Sequence, residues 1–431
     1  MRFQQWFPFI VCLHLFQPVN GAELPDLTIP NGVGVNIHFV TGHQQDLDLI
    51  AAAGFKFIRM DFAWEATEPE KGKYQWSGYE ELLKNLEKRG VRALFILDYS
   101  HHLYEAKVTS PHPITGASQE NIASPQHSES IEAFARWAAA AASHFHGHHI
   151  IWEIWNEPNG NFWSPKPDAQ QYSKLALAAA KAIRQADPNA TIVGPASSGF
   201  PWDFLQHFLE SGVLEYLNAI TVHPYRDSRK PPETAGEDYH RLRGMIEKYA
   251  PSGKKGLPIL SGEWGYSSHR HGVTLDTQAA FAARQQLFNL SEHIPLSIWY
   301  DWKNDGEDPN ENEHNFGTVG HDLKPKPAYT ALQNLTRQLG GFRIAERLHV
   351  DSEKDYILRC TNSSGKTRLA AWTINTAHSV TFRPPGAVPN NVQGVTAFGE
   401  KFAIEMKSNE LQLEIGPLPK YLDLNLTPGG R

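Results

Sequence analysis

The sequence predicts a (β/α)8 TIM barrel followed by a small antiparallel β-sandwich. Between residues 29 and 339, short β-rich runs alternate with longer runs that have the spacing of amphipathic helices. Beyond residue 340 the helical spacing ends, and short alternating runs are separated by turn residues. The first pattern is typical of a parallel sheet with helical crossovers, and the second of an antiparallel sandwich.

The barrel prediction depends on eight predicted strands. They are residues 32–39, 55–62, 91–99, 150–157, 191–196, 217–225, 257–265 and 295–302. Between several of them lie amphipathic runs, the clearest being 77–90, 128–145, 168–186 and 277–293. Eight repeats of this kind match a closed barrel of about 250 residues or more better than an open sheet. An open doubly wound sheet usually has a glycine-rich loop after its first strand, and residues 36–45 contain no such loop.

The predicted domains follow from these patterns and from the N-terminus. One arginine precedes an apolar run from Trp6 to Phe16, and small residues follow at Gly21 and Ala22. This arrangement is typical of a secretory signal peptide, and the run is too short to span a bilayer. We therefore expect a signal peptide at 1–22, a catalytic barrel at 23–339 and a sandwich at 340–431, in a secreted or periplasmic protein without stable membrane insertion.

Charge excludes one class of partner. The 431-residue chain has a formal net charge of -7, whereas binding to nucleic acid requires a basic surface. We expect no nucleic-acid partner, and the sequence does not indicate the oligomeric state.

Two glutamates lie at the ends of predicted strands. Glu157 ends the fourth strand, where Pro158 stops strand pairing, and Glu263 ends the seventh. Active sites of such barrels lie at the C-terminal ends of the strands. Two carboxyl groups that face each other there are what cleavage of a glycosidic bond requires, one as a proton donor and one ionised.

Glu153 shares the fourth strand with Glu157 but precedes it by four residues. At about 3.3 Å per residue it would lie roughly 13 Å deeper in the barrel. We interpret it as a structural acid that is paired in the interior.

The segments "WEIWNEPNG" and "ILSGEWG" resemble the signature strands of clan A glycoside hydrolases. The resemblance covers most of residues 30–340 and is closest to family 39 and related bacterial exopolysaccharide hydrolases. It includes the segments "RMDFAWEATEPEKGKYQW" and "NFGTVGHDLKPKPAYTAL". It implies a retaining hydrolase in which Glu157 is the general acid/base and Glu263 is the nucleophile.

The resemblance also implies substrate-binding roles for other residues. Asn156 would bind the sugar 2-OH, Arg59 would hold the nucleophile ionised, and His223 and Tyr225 would contact the nucleophile and the sugar. Trp299 would lie under the sugar. The alternatives are a rim salt bridge for Arg59, a rim histidine for His223 and a core position for Trp299. Related enzymes often carry a histidine after the third strand, and here His101 and His102 are both candidates.

The function predicted from the sequence is hydrolysis of β-glycosidic bonds in a polysaccharide or oligosaccharide. This double displacement needs no cofactor or metal. The alternatives are a transglycosylase with the same two carboxylates and a carbohydrate-binding protein without activity. The sequence indicates neither the sugar and linkage nor endo or exo action.

Overall fold

The structure is a computed structural model that describes residues 24–384, 386 and 388–425. The predicted signal peptide lies outside these residues. The elements up to residue 339 are, in chain order, β1 (Val33–Asn36), α1 (Gln44–Ala52), β2 (Phe57–Ala63), α2 (Trp64–Thr67), α3 (Ser77–Glu87), β3 (Arg92–Asp98), β4 (Lys107–Pro111), β5 (Ser118–Ile122), α4 (Ser128–His144), β6 (Ile151–Ile154), α5 (Ala169–Ala186), β7 (Thr191–Ser198), α6 (Trp202–Glu210), β8 (Ala219–His223), α7 (Gly236–Tyr249), β9 (Ile259–Trp264), α8 (Leu275–Ser291), β10 (Ser297–Trp299) and α9 (Pro327–Leu339).

Eight parallel strands in the described part of the chain form a closed barrel in the order β1-β10-β9-β8-β7-β6-β3-β2, and β1 pairs with β2 to close the ring. The predicted fold class is therefore confirmed. The connection after β3 contains the antiparallel hairpin of β4 and β5.

Side-chain alternation along the strands separates two apolar layers. The barrel interior holds one cluster: Phe57, Leu94, Ile96, Ile151, Val193, Ala219, Leu260, Leu296 and Ile298. Their neighbours along each strand point outward and pack in a second cluster with the helices. Because successive strand residues face opposite sides, residues two or four positions beyond the interior cluster point into the C-terminal mouth of the barrel.

Capping side chains begin two of the long helices. Asp168 accepts hydrogen bonds from the backbone N–H groups of Gln170 and Gln171, each at 2.9 Å, before α5. Thr274 accepts from the N–H of Thr277 at 3.1 Å before α8. Each cap satisfies N–H groups that have no partner inside the helix.

The C-terminal strands are β11 (Phe342–Arg347), β12 (Asp355–Asn362), β13 (Thr367–Thr373), β14 (His378–Phe382), β15 (Asn391–Thr396), β16 (Lys401–Glu405), β17 (Leu411–Ile415) and β18 (Lys420–Asp423). In the described residues they form a six-stranded antiparallel sheet and a two-stranded β14–β17 sheet. Both sheets contribute to one apolar core, for example through Ile357 and Leu413, as in a sandwich. The last barrel helix ends at Leu339 and β11 begins at Phe342, on either side of the predicted domain boundary.

A buried polar contact joins the sandwich to the barrel. Arg284 of α8 donates to both carboxylate oxygens of Glu233, at 2.8 and 2.6 Å, and Trp372 of β13 donates to Glu233 Oε1 at 2.7 Å. All three side chains are buried. No helix in the described part of the chain has the length and apolar character needed to span a membrane.

Candidate active site

Glu157 reaches the barrel mouth because the chain leaves strand geometry after β6. Trp155 and Glu157 have φ angles of 68° and 46°, which side chains other than glycine seldom adopt. The N–H of Glu157 donates to the carbonyl of Ala196, which itself has a φ of 52°. Such strained residues cluster at functional sites, where the surrounding structure holds them.

Glu263 reaches the same mouth through a β-bulge. Ser261 pairs with Ser297 and Trp264 pairs with Trp299, so β9 has one more residue than β10 over this interval. The extra residue turns Glu263 inward although its neighbour Trp264 is fully buried among the outward-facing residues. A Cβ at Gly262 would lie 3.1 Å from Glu153 Oε1, so a residue without a side chain suits this close approach.

The two glutamates face each other. One carboxylate oxygen of Glu157, one of Glu263 and one ring nitrogen of His223 all lie within 4.8 Å of one another. Both carboxylates are partly exposed, at 15% for Glu157 and 13% for Glu263, so a ligand in the mouth can reach them.

Arg59 and Tyr225 hold Glu263 from two sides. Arg59 Nη1 donates to Glu263 Oε2 at 2.6 Å, and the hydroxyl of Tyr225 donates to Glu263 Oε1 at 2.8 Å. The two contacts use one lone pair on each oxygen and orient the carboxylate.

The Arg59 guanidinium connects Glu263 at the barrel mouth with polar side chains of the fourth strand and the segment after it. Besides Glu263, it donates to Glu153 Oε2 at 2.7 Å and to Asn156 Oδ1 at 2.8 Å. Glu153 is thus paired in the interior, as expected. The expected depth of Glu153 assumed a continuous strand up to Glu157, whereas β6 ends at Ile154 and the chain leaves strand geometry before Glu157.

Glu157 has a different environment from Glu263. Burial raises the pKa of Glu157 to about 7, although a Ser198 hydrogen bond and the charge of Arg59 oppose the shift. Burial also lowers the pKa of His223 to about 4, so its ring is neutral near pH 7. Arg59 can only donate, so the 3.2 Å contact makes His223 Nε2 the acceptor, and Nδ1–H donates to Glu157 Oε1 at 2.8 Å.

Comparison with known proteins identifies the family. A family model described as Cellulase (glycosyl hydrolase family 5) matches residues 28–306, which is more than half of the chain. The chain belongs to this glycoside hydrolase family. The prediction of a clan A glycoside hydrolase is confirmed.

Individual relatives are also glycoside hydrolases. A beta-xylosidase of Geobacillus stearothermophilus is 25% identical over 205 residues, 42% of this chain, and the match spans only 40% of that relative. A family 39 glycoside hydrolase from Bacteroides cellulosilyticus WH2 has a TM-score of 0.76 at 25% identity, covering 93% of this chain and 81% of that chain. A monomeric beta-xylosidase from Caulobacter crescentus CB15 shares the fold, with a TM-score of 0.64 at 17% identity over 94% of this chain and 97% of that chain.

Within this glycoside hydrolase, four predicted substrate-binding residues surround the carboxylates. Arg59 and Tyr225 donate to Glu263, and His223 donates to Glu157, whereas Asn156 is connected to Glu263 only through Arg59. Arg59 contacts Glu263 itself, so it is more than a rim salt bridge. Contact of these four residues with a sugar stays a prediction.

Trp299 lies elsewhere than expected. Its side chain is fully buried in the outward cluster, and its indole N–H approaches the carbonyl of Phe316 at 3.4 Å. The predicted position under the sugar has no support in the structure, and the alternative of a core position describes it. Strand alternation gives the reason, because Leu296 and Ile298 face the interior and the next inward residue is Tyr300.

His101 and His102 both turn toward the segment after β2. His101 is fully buried, with Nε2 at 2.9 Å from the carbonyl of Glu68 and Nδ1 accepting from the N–H of Leu103. His102 is exposed and pairs with Glu65. Neither histidine has a described contact with Glu157 or Glu263, and substrate contact by either stays a prediction.

The sequence reasoning missed four residues around the mouth: His38, Asp61, Asp98 and Tyr300. Strand alternation could have found Asp61, Asp98 and Tyr300, because each follows an inward-facing residue of its strand by two or four positions. His38 lies two residues after Asn36, whose side chain accepts a hydrogen bond from Arg59. Tyr300 is in electrostatic contact with Glu263, and its ring lies 5.8 Å from that of His38.

Two groups of side chains in residues 24–384, 386 and 388–425 bring three metal-ligating atoms together: Glu157 with His223 and Glu263, and His38 with Asp301 and Asp305. In the first group, both ring nitrogens of His223 already have hydrogen-bond partners. In the second, His38 Nε2 lies 3.2 Å from Asp301 Oδ2 and forms an ion pair. In both groups the side chains are therefore bonded to each other or to other protein groups. A protein cation lies close to the carboxylates, Arg59 in the first group and His38 in the second.

Proposed function

We propose that this protein hydrolyses β-glycosidic bonds with retention of anomeric configuration, by a double displacement. Glu263 attacks the anomeric carbon while Glu157 donates its proton to the leaving oxygen. In the second step Glu157 removes a proton from water, and the water displaces Glu263 from the sugar. The proposal rests above all on the approach of the two carboxylates to within 4.8 Å.

The separation favours retention over inversion. Retaining enzymes place their two carboxyl groups about 5–5.5 Å apart, whereas inverting enzymes leave roughly 6.5–9.5 Å for a water molecule. An approach of one oxygen from each group to within 4.8 Å fits the shorter separation and supports a carboxylate nucleophile rather than an attacking water.

The environments of the two carboxyl groups support the assignment of roles. Glu263 receives hydrogen bonds from a cation and a phenol, which hold its carboxylate in a fixed orientation, as a nucleophile needs. Burial raises the pKa of Glu157 to about 7, so a substantial fraction carries a proton at neutral pH. The different environments of the two carboxyl groups support the acid role for Glu157 and the nucleophile role for Glu263.

We propose β-linked xylose as the sugar that is released. This choice is supported by the beta-xylosidase of Geobacillus stearothermophilus, although the chain spans only 40% of that relative. The test is a panel of nitrophenyl β-glycosides and xylo-oligosaccharides, with NMR detection of the first anomer released. Release of the β-anomer supports the proposal, whereas an α-anomer rejects retention and activity only on other sugars rejects xylose.

The same substrates distinguish hydrolysis from the two alternative functions, transglycosylation and carbohydrate binding without activity. A transglycosylase would form longer oligosaccharides at high acceptor concentration and few reducing ends. A binding protein without activity would bind xylo-oligosaccharides in calorimetry and release no reducing ends.

We also propose that the protein is exported and that its N-terminal segment is removed, because that segment has the pattern of a signal peptide. N-terminal sequencing of the protein recovered from the cell exterior is the test. A mature chain that still begins at Met1 would reject this proposal.

A further inference from the structure

The barrel mouth contains a second pair of acids that the proposed mechanism does not use. Asp61 follows Arg59 by two residues on β2 and shares its inward orientation, and Asp98 ends the adjacent strand β3. The strand register pairs Ala63 with Asp98, so Asp61 and Asp98 are diagonal neighbours on adjacent strands, and their carboxyl groups are close enough to interact electrostatically. Asp98 is fully buried, while Asp61 is partly exposed.

The surroundings of Asp98 require a proton. Neither of its carboxylate oxygens has a hydrogen-bond donor among the residues that the structure describes. A buried, ionised carboxylate without a donor is very costly, so such a group takes up a proton instead. Two ionised carboxylates only accept hydrogen bonds, and their contact therefore needs one proton between them.

The position of Asp61 relates this pair to the sugar. Asp61 interacts electrostatically with Arg59 and with His38, which lies just beyond the end of β1. His38 is paired with Asp301 just beyond the end of β10. The leaving group departs on the side of Glu157, at β6. The arc of β10, β1 and β2 therefore faces the glycone, which is the sugar that stays on the nucleophile.

We propose that Asp61 and Asp98 share one proton, held by Asp98, and that the Asp61 carboxylate accepts a hydrogen bond from a hydroxyl group of a neutral glycone. This inference rests on the proposed glycosidase function. Asp98 acts as a positioning residue, because its O–H donates to Asp61 and fixes one oxygen while the other faces the mouth. Asp61 is the specificity-determining residue.

The charges around Asp61 predict which glycones are rejected. Arg59 is already matched by Glu153 and Glu263, and His38 is matched by Asp301. The negative charges that remain in this arc are the one shared by Asp61 and Asp98 and that of the nearby Asp305 carboxylate. A sugar acid, whose carboxylate would approach this arc, is repelled, whereas a neutral sugar donates hydroxyl hydrogens.

Kinetics with matched substrates test the contact. We expect Asp61→Asn to lower kcat/KM for a nitrophenyl β-xyloside by about 10- to 100-fold, the usual effect of losing a hydrogen bond to a charged group. For the deoxy-xyloside that lacks the contacted hydroxyl, the same substitution should cause little further loss. Asp61→Asn should also raise kcat/KM for the corresponding uronide relative to the xyloside. Equal losses on the xyloside and on every deoxy analogue, or an unchanged uronide ratio, would overturn the proposal.

Substitutions of Asp98 test its positioning role. Asp98→Asn keeps a hydrogen-bond donor toward Asp61, whereas Asp98→Leu removes it. The leucine variant should therefore lose about tenfold more in kcat/KM than the asparagine variant. As with Asp61→Asn, the loss should be small for the deoxy-xyloside that lacks the contacted hydroxyl. Asp203→Asn on α6 is the matched control, since Asp203 is exposed on the outside of the barrel. Equal losses for the two Asp98 variants would overturn the positioning role.

Infrared spectroscopy tests the shared proton without any substrate. The Glu157→Gln background removes a carboxyl group whose pKa is raised to about 7. In this background a carboxylic-acid band should persist at pH 8 and disappear when Asp98→Asn is added. A band that is absent at pH 8, or that survives Asp98→Asn, would overturn the pair even if hydrolysis is observed. Wild-type protein that hydrolyses no β-glycoside would instead reject the proposed function.

Discussion

His223 donates its Nδ1–H to Glu157 Oε1 across 2.8 Å, and its opposite ring nitrogen accepts from Arg59. Through this ring the proposed acid/base is connected to the guanidinium that also holds Glu263. His223 is buried and neutral near pH 7 because burial lowers its pKa to about 4. It can therefore orient Glu157 without placing a second positive charge beside it.

Replacing Glu157 with glutamine should remove proton donation and keep the shape of the side chain. For xylosides with poor leaving groups, kcat/KM should fall by about 10²–10⁴-fold, the usual contribution of general acid catalysis. Dinitrophenyl xylosides need little protonation, so their bond-cleaving step should slow much less. Pre-steady-state kinetics measure this step, and Glu132→Gln on the exposed face of α4 is the control. Equal losses on both substrate types would contradict the acid role.

The pH profile should show the titration of Glu157. The acid must be protonated, so kcat/KM for a poor leaving group should decrease as pH rises through about 7. The pKa of Glu157 in the folded protein lies above the ordinary value of 4.5, so this carboxyl group binds its proton more tightly in the folded state than in the unfolded state. The stability that this proton contributes is therefore lost as pH rises from 4.5 to about 7. In Glu157→Gln both effects should vanish. A basic limb that persists in this variant would assign the titration to another group.

Replacing Glu263 with alanine should abolish hydrolysis, because no carboxylate remains to form the glycosyl-enzyme intermediate. Added azide should restore no product of retained configuration. In the wild-type protein, a 2-fluoro-xyloside inactivator should label the peptide that contains Glu263, as measured by mass spectrometry. A label on any other peptide would contradict the nucleophile assignment.

Substitutions of Trp299 and Tyr300 should affect different properties. Trp299 is buried in the outward cluster, so Trp299→Leu should lower the melting temperature and leave KM close to the wild-type value. Tyr300 faces the mouth, and Tyr300→Phe should change KM or kcat with little effect on melting. Calorimetry and steady-state kinetics on the two variants provide the measurement. A large rise in KM for Trp299→Leu in a fully stable protein would restore its predicted role under the sugar.

The sandwich should stabilise the barrel rather than bind substrate. Arg284→Met leaves the buried Glu233 carboxylate without its cation, and losing one partner of a buried pair costs about 3–5 kcal/mol in unfolding free energy. KM for xylo-oligosaccharides should stay unchanged. Lys107→Met removes an exposed pair with Glu120 and is the control, for which we expect little change in stability. Weaker substrate binding by Arg284→Met at unchanged stability would indicate a binding module instead.

Strand alternation explains where sequence reasoning succeeded and where it failed. Arg59 was found because a family motif and an inward strand position coincide there. Trp299 was misplaced by one position, because the resemblance directed attention to the tryptophan and the interior pattern of Leu296 and Ile298 was not followed to Tyr300. Strand alternation predicts that Asp61 and Asp98 face inward, but their proximity depends on the pairing of two strands, and no local pattern contains it.

The sequence by itself determined the periodicity of the strands and helices, and therefore the barrel, because side-chain alternation is a local property of the chain. It also determined that one glutamate follows the fourth strand and that another lies at the end of the seventh. Only the tertiary structure decided their geometry. The positive φ angles at Trp155 and Glu157 and the bulge before Trp264 bring carboxyl groups from two distant strands within 4.8 Å. It also decided which acid keeps its proton, because burial and the donors that surround each carboxylate depend on how separate strands pack together.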